Sequence, residues 1–548
     1  MSKISQYLNE HLLGEVTTSA PVRKQLSTDG SMLSLTPDIV AYPKVTNDIR
    51  KVLRFTHQLA GKGHAISVTT RGAGTDQTGA AVGQGIIVNT TAHMNEIFEY
   101  DAKQRLIRVQ PGLNFGALQA ALKLQGCFIP AFPDSVLYST IGGAVANNSS
   151  GRYSGQRGAI DESVAELEVV LANGDVIQTK RISKKELGKK KGLQTFEGEI
   201  YRAVDNLIED SRELIEAKLE TGIIDNTGYA NIAKVKQKNG SFDLTPLFVG
   251  SQGTLGVISE MILKAEFYNS EEILVALIVK GSDNYIDILD ELRKLTPESI
   301  EIFDGSLLKL AHAHGKRYPG VMNDDAAVES ASGLILCSLQ DFNDRARKRK
   351  LKKIQKLAEK FESTIISAEK PEQVRELAAL RGIPYAALYA EESKNVVPPL
   401  FRGVYIPADR YEEFIVAVTK LESAIKIALP CTGYAVDGVY SFWPQLPLHT
   451  ATDKQKLLKL YDAFASLVVA HGGSVVAEAG EGRMKSPFIA KSRDSELEKL
   501  YTEIRKIFDQ YSTLNTGVKQ AAELRTVVSH LRPGYDGVDF PGFTGTGL

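Results

Sequence analysis

From about residue 38 the chain alternates short apolar runs with stretches of helical period. "DIVAYP" reads as a strand, and "TNDIRKVLRFTHQLAGKG" sets Ile49, Val52, Leu53, Phe55 and Leu59 close to a 3.6-residue repeat that stops at Gly61 to Gly63. "HAISV", "GIIVNT" and "LIRVQPG" read as three further strands, the last broken by Pro111 and Gly112. "NFGALQAALKLQG" predicts a helix with Asn114 as N-cap and Gly126 just past its end. The pattern then lapses. Residues 139–163 show little periodicity and predict a long loop, yet they run into "VAELEVVLANGDVIQTK", two alternating strands around the hairpin pair Asn173-Gly174. A loop beside so well specified a hairpin is expected to fold around something.

Residues 186–247 read as helical and more polar, and "TPLFVGSQGTLGVISEMILKA" restores the order of glycine turn, then strand. Beyond about residue 270 the texture changes. "EEILVALIVKG", "GLILCSLQ" and "LFRGVYIPA" predict half-buried strands, with helices near 283–296, 343–363, 371–381 and 409–424, so a separate α+β unit is expected. Two later helices are carried by "KQKLLKLYDAFASLVVAHGG" and "ELEKLYTEIRKIFDQYS", ahead of a glycine-rich tail expected to be mobile. The helix "DRARKRKLKKIQKLAEKF" carries nine Lys or Arg over an ordinary apolar stripe. A solvated face and an electrostatic dock for an acidic partner or membrane surface are both open.

Composition narrows the classes. With 65 Lys and Arg against 66 Asp and Glu, the formal charge is -1, which calls for no nucleic-acid partner. Cys127, Cys337 and Cys431 lie far apart, forming neither a disulfide framework nor an iron–sulfur motif, which fits a reducing compartment. The start lacks the unbroken apolar core of a signal peptide and no stretch reaches 18 apolar residues. A cytoplasmic protein without a transmembrane segment is expected, peripheral to a membrane only through a partner.

The chemistry concentrates around "TTRGAGTDQTG", a turn with three glycines directly after a strand. Successive backbone N–H groups in such a turn form a nest for phosphate oxygens. Together with "IRVQPG", "FPDSVLYSTIGGAVANNSSG", "LEVVLANGDVI" and "GSQGTLGVISEMILK", in this order, it resembles the vanillyl-alcohol oxidase or PCMH-type FAD-binding flavoproteins. The nearest likeness is to the D-lactate, glycolate and D-2-hydroxyglutarate dehydrogenase branch, over residues 31–519. The resemblance implies an α+β fold. It would comprise an N-terminal helical segment (1–35), a two-subdomain FAD-binding domain (36–268), an α+β cap (269–500), and a C-terminal helical segment returning to the flavin domain (501–548). It implies FAD contacts at Arg71, Gly72, Ala73, Gly74, Thr75, Asp76 and Gly79. Others fall at Pro133, Ser135, Thr140, Gly142, Gly143, Asn147, Asn148, Ser150, Gly151, Gly158 and Ile160, and at Gly253, Thr254, Gly256, Ile258 and Asn515. Gln252 stands where the family usually has Glu. Relatives that bind FAD covalently through the first loop use a histidine, and this loop has Thr75 and Asp76, so noncovalent FAD is expected.

The substrate half departs from the family. Tyr434 and Ser441 occupy the places of a histidine pair, and Ala479 replaces a third imidazole beside Glu478. Asp437 and Glu478 alone make a poor zinc site, so no metal is expected. His471 reads as structural, and His312 and His314 as a weak metal pair on a strand or turn. Arg381 matches the arginine that grips the substrate carboxylate in relatives, with a helix-surface salt bridge as the competing reading. Tyr434, Glu478, Glu481, Arg483 and Lys485 would complete the lining, with Arg381, Tyr434 and Glu478 as the candidate catalytic set. The resemblance then implies hydride transfer from a secondary alcohol, a 2-hydroxy carboxylate, to flavin N5. Electrons would pass to a quinone, an electron-transfer protein or an iron–sulfur subunit. A sugar, polyol or aromatic alcohol as substrate remains open, and so does a flavin-binding subunit without catalysis of its own.

Overall fold

The computed structural model describes residues 2–281, 283–316, 318, 325–389, 395–520 and 523–535. Most of the glycine-rich tail, residues 536–548, lies outside them. Three sheets organise the chain. In the first, strands Glu15–Thr17, Ile39–Tyr42, Ile86–Asn89 and Val68–Arg71 lie side by side in that order, the last three parallel. The parallel strands are buried on both faces and read as apolar runs, with helix Thr46–Ala60 packed through Ile49, Val52 and Leu53. The strand before the glycine turn begins at Val68 rather than within "HAIS", so it delivers the turn at Gly72 without a linker. The segment 1–35 is not simply helical. Helix Ser2–His11 stacks Tyr7 on Phe55, and Glu15–Thr17 supplies an edge strand.

The second sheet is antiparallel, in the order Ile97–Asp101, Leu106–Val109, Val257–Lys264, Val164–Val170 and Val176–Thr179. The Asn173-Gly174 hairpin forms as its sequence dictates, with Gly174 at φ 84°. Residues 139–163 do not form one long loop. Thr140 caps helix Ile141–Asn147 by accepting from Gly143 N, and Asn148 ends it in the left-handed conformation at φ 49°. Two short turns, Ser154–Arg157 and Ile160–Ser163, follow. Small residues and glycines hid this helix, because it presents only Ile141, Ala144 and Val145 to the core.

The third sheet has seven antiparallel strands in the order Thr364–Ala368, Ile273–Lys280, Ala331–Leu339, Ser299–Asp304, Cys431–Tyr434, Val439–Phe442 and Val404–Tyr405. Its long strands are buried on both faces, not half-buried. Val275, Leu277 and Ile335 pack in one apolar cluster, while Leu274, Ala276 and Leu334 pack in another. Helices on both sides explain the continuous apolar spelling of "ILVALIVK". "LFRGVYIPA" contributes only the two-residue strand Val404–Tyr405.

The return to the flavin half begins earlier than residue 501. Helix Ser495–Phe508 already packs there through Leu500, Tyr501, Ile504 and Phe508, with Phe508 edge-on to Phe248. The chain then runs beside the first sheet, where Val68 N donates to Thr513 O at 2.8 Å and Asn515 N to Val68 O at 2.8 Å.

Candidate active site

A cavity runs from the glycine turn, between the first two sheets, to the underside of the third sheet. It encloses about 2070 Å³ of space between protein atoms, open solvent at its mouth included. One wall is the turn Gly72 to Asp76, a second is the helix N-terminus at Thr140 to Gly143, and a third comes from Gly253, Gly256 and Ile258. Gly74 sits at φ 80°, where a side chain would be strained, and a Cβ on Gly72 would lie 2.2 Å from Thr140 Oγ1. The amides of Gly72, Ala73 and Thr75 donate to no acceptor among the described residues. Thr70 Oγ1 and Ser139 Oγ, on the channel wall, are buried with no partner among the described residues. A long channel with unspent amides at a tight turn, a helix N-terminus and orphaned hydroxyls fits a cofactor carrying a pyrophosphate.

Many expected contacts line this channel: Gly72, Ala73, Gly74, Thr75, Asp76, Pro133, Ser135, Thr140, Gly142, Gly143, Asn147, Gly253, Gly256 and Ile258. Others do not, and each has a structural task instead. Arg71 lies under the turn and donates to Ala81 O at 3.1 Å, and Gly79 packs against Leu33. Asn148 is a left-handed helix terminus, Ser150 N ties to Glu478 O at 3.1 Å, and a Cβ on Gly151 would lie 2.0 Å from Phe132 O. Gly158 turns the chain at φ 78°, and Ile160 is fully buried. Thr254 Oγ1 meets Tyr229 Oη at 2.7 Å, and Asn515 clamps Ala80 O at 2.9 Å and Gln252 O at 2.7 Å. Asp76 reaches the wall, but its carboxylate staples the turn by accepting from Thr78 N, Ala80 N and Asn147 Nδ2. Gln252 fits where a carboxylate is usual because its amide is used both ways. Nε2 donates to Asn147 Oδ1 at 2.7 Å, and Oε1 accepts from Gly482 N at 2.9 Å.

Beneath the third sheet the cavity becomes a chamber. Arg381 reaches it, but the guanidinium is not free. Nε and Nη2 grip Glu301 at 2.6–3.0 Å, with the two side chains 10% and 4% exposed. Burial opposes both charges, yet each holds the other ionised: the Arg381 pKa is raised and that of Glu301 lowered. The competing salt-bridge reading therefore holds, though the bridge is buried and not on a helix surface. Arg402, which sequence reasoning passed over, is better placed to meet an anion. Its guanidinium lies 3.9 Å above the Trp443 ring, Nη2 donates to Tyr389 Oη at 3.2 Å, and Nε is buried with no partner among the described residues. No local signal marks it, because Arg402 meets Trp443 only through the pairing of Val404–Tyr405 with Val439–Phe442.

Glu478 faces the chamber, its carboxylate with no hydrogen-bond partner among the described residues. Burial raises its pKa to about 7, and Asp134 adds to the rise against the pull of Arg402 and Lys485. Lys485 is lowered to about 8 by burial, and Nζ is spent on Arg402 O and Val475 O, both at 2.7 Å. Tyr434 Oη donates to Asp134 Oδ1 at 2.9 Å. Ser441 Oγ accepts from Gly403 N at 3.2 Å. Asp437 lies in the hairpin turn beyond the wall, raised to about 8 by burial. Glu481 and Arg483 are not lining residues. Glu481 is wholly buried against Arg493, Ser486 and Gly228 N, and Arg483 ties Gly79 O to Asn515 and Thr516 O.

The remaining histidines lie elsewhere. His471 caps its helix, Nδ1 lying 2.8 Å from Leu467 O, with its ring edge-on to Phe414. His312 and His314 are two apart at the end of helix Gly305–Ala313, not on a strand, and His312 faces Asp325 at 3.3 Å. Among the described residues no three His, Cys, Asp or Glu side chains converge as a metal site, no helix is long and apolar enough to cross a membrane, and the three cysteines are separate and buried.

Comparisons with known proteins agree with this anatomy. Residues 37–180 match the FAD binding domain family, and residues 274–518 match the C-terminal domain of FAD linked oxidases. A D-2-hydroxyglutarate dehydrogenase of Pseudomonas putida is 25% identical over 93% of this chain and 51% of its own, so the chain spans about half the length of that relative. The glycolate oxidase subunit GlcD of Bacillus subtilis is also 25% identical, over 89% of this chain and 90% of its own. Among solved structures, 4-ethylphenol oxidase from Gulosibacter chungangensis shares the fold at a TM-score of 0.69 and 12% identity, covering 96% of this chain and 98% of that one.

Proposed function

We propose that the chain, whose residues 37–180 and 274–518 match two domains of FAD-linked oxidases and which shares the PCMH-type fold, is an FAD-dependent dehydrogenase oxidising a secondary alcohol, a 2-hydroxy carboxylate. The relatives named for D-2-hydroxyglutarate and glycolate support that substrate class. The observation that carries it is the chamber: an uncommitted carboxylate, Glu478, faces the same cavity as the guanidinium of Arg402, whose Nε is unspent. FAD, when bound, supplies the hydride-accepting ring. The nest of Gly72, Ala73 and Thr75 amides and the helix N-terminus at Thr140 would hold its pyrophosphate, and the turn's Thr75 and Asp76, in place of a histidine, favour noncovalent binding. Arg402 holds the substrate carboxylate, its plane fixed by Trp443. Glu478 takes the hydroxyl proton at a carboxylate oxygen. The walls at Tyr385, Pro384 and Ile302 keep the chamber apolar where the substrate carbon must sit. Electrons leave to an acceptor outside the chain: a quinone, an electron-transfer protein or an iron–sulfur subunit.

Anaerobic bleaching of the flavin band across 2-hydroxy acids, sugars, polyols and aromatic alcohols tests this reading. The hydroxy acids should bleach it, and Arg402→Met should raise the concentration they require by about 10–100-fold, the loss of one charge-assisted contact. Bleaching only by neutral alcohols, unaffected by Arg402→Met, would overturn the anion site. A chain that holds FAD but is bleached by none would instead be a flavin-binding subunit.

A further inference from the structure

Resting on that reading, one residue of the chamber has a role that neither the glycine turn nor the anion site absorbs. Asp134 lies within the flavin segment "FPDSV", between Pro133 and Ser135, and lines the cavity on the flavin side. The side chain it holds comes from the other side: Tyr434 ends strand Cys431–Tyr434 of the third sheet, 300 residues away in sequence, and its Oη donates to Asp134 Oδ1 at 2.9 Å. Glu478 lines the same cavity from a third segment, held by Ser150 N on its carbonyl at 3.1 Å. Three separate chain segments thus bring a carboxylate, a phenol and a second carboxylate to one chamber.

A phenol has one proton. With it committed to Asp134, the Tyr434 oxygen offers the chamber only lone pairs. It can receive the O–H of a substrate alcohol and orient it, but it cannot donate to the oxygen once the proton has left. In the proposed reaction that proton goes to Glu478, whose carboxylate lines the same chamber. We propose that Asp134 is a positioning residue for the alcohol oxidation: it fixes Tyr434 as an acceptor aimed at the substrate hydroxyl and keeps a negative charge beside Glu478. The groups facing Glu478 are Asp134, Arg402, Lys485, Tyr385, Tyr434 and Asp437. Of these, Asp134 is the one whose charge adds most to the burial that raises the Glu478 pKa to about 7, while Arg402 and Lys485 oppose the rise, so that an ionised fraction able to take the proton persists at neutral pH.

Two substitutions separate the functions of Asp134. Asp134→Asn keeps an acceptor oxygen for Tyr434 but removes the charge, whereas Tyr434→Phe keeps the charge and removes the phenol. Each holoenzyme is reduced anaerobically with the best 2-hydroxy acid between pH 5 and 9, and its carboxyl band is titrated by infrared difference spectroscopy, Glu478→Gln identifying the band. Asp134→Asn should move both the kinetic limb and the infrared transition of Glu478 to lower pH by about one unit, as expected when a like charge leaves a low-dielectric pocket. Tyr434→Phe should not lower either transition, and should raise the substrate concentration needed by about 2–10-fold, the loss of a neutral hydrogen bond. An Asp134→Asn enzyme that is slower but has both transitions unmoved would make Asp134 merely structural and overturn the proposal. So would a Tyr434→Phe enzyme with unchanged substrate dependence. The infrared titration needs no substrate, so failure of the dehydrogenase reading and failure of this inference are distinguishable.

Discussion

The pair Arg381–Glu301 offers the sharpest test of how the chamber is built. Arg381→Met removes a guanidinium that grips Glu301 through Nε and Nη2 and leaves a carboxylate that is 4% exposed with no counter-charge in the same grip. Breaking a buried pair from one side costs about 3–5 kcal/mol, because the surviving ion has lost its partner and cannot be solvated. For a unit of the size of the third-sheet domain, with about 2–4 °C of melting temperature per kcal/mol, the expected fall is about 6–20 °C. The double variant Glu301→Met/Arg381→Met removes both charges and should recover most of that loss, because two apolar side chains can fill the space. Thermal unfolding followed by circular dichroism gives the first readout, and anaerobic flavin reduction over a range of substrate concentrations gives the second. If Arg381→Met melts like the unaltered protein while its substrate requirement rises more than tenfold, the reasoning fails. Arg381 would then release Glu301 on binding and act as the anion anchor, as its sequence context first suggested.

The remaining expectations are simpler. Acid precipitation should leave yellow flavin in the supernatant, and colour retained by the denatured chain would refute noncovalent attachment. Gly74→Val should weaken FAD binding to the apoprotein at least about tenfold, since it combines a φ of 80° with a Cβ 2.1 Å from Arg71 Nη2. Gly188→Ala, where nothing lies within 4 Å, should leave that binding unchanged, and equal affinity in both variants would mean that the turn does not hold the cofactor. Elemental analysis should find no stoichiometric zinc and chelator should not slow turnover, because Tyr434, Ser441 and Ala479 supply none of the nitrogen ligands that zinc prefers. One zinc per chain, lost together with activity, would overturn that.

The flavin half was legible in the amino-acid order because its determinants are local. A nest needs consecutive amides and glycines, a cap needs one side chain three residues from its amide, and a tight hairpin needs Asn-Gly. "RGAGTDQTG", Asn114 and Asn173-Gly174 therefore announce themselves within a few residues. Local spelling also carried the helices, whose period is short, but not the helix Ile141–Asn147, whose buried face is made of few and small side chains. The chamber was not legible, because its chemistry depends on which groups meet across long separations. Arg381 looks the same in sequence whether its fork is empty or filled, and Glu301, 80 residues away, fills it. Tyr434 and Asp134 are 300 residues apart, and Arg402 gains its plane from Trp443 through strand pairing in the third sheet. The order of residues determined which groups exist and which turns can cradle a phosphate. Only the packing of three sheets decided which charges are already neutralised and which still face the cavity, since burial and Coulomb interaction act through space and not along the chain.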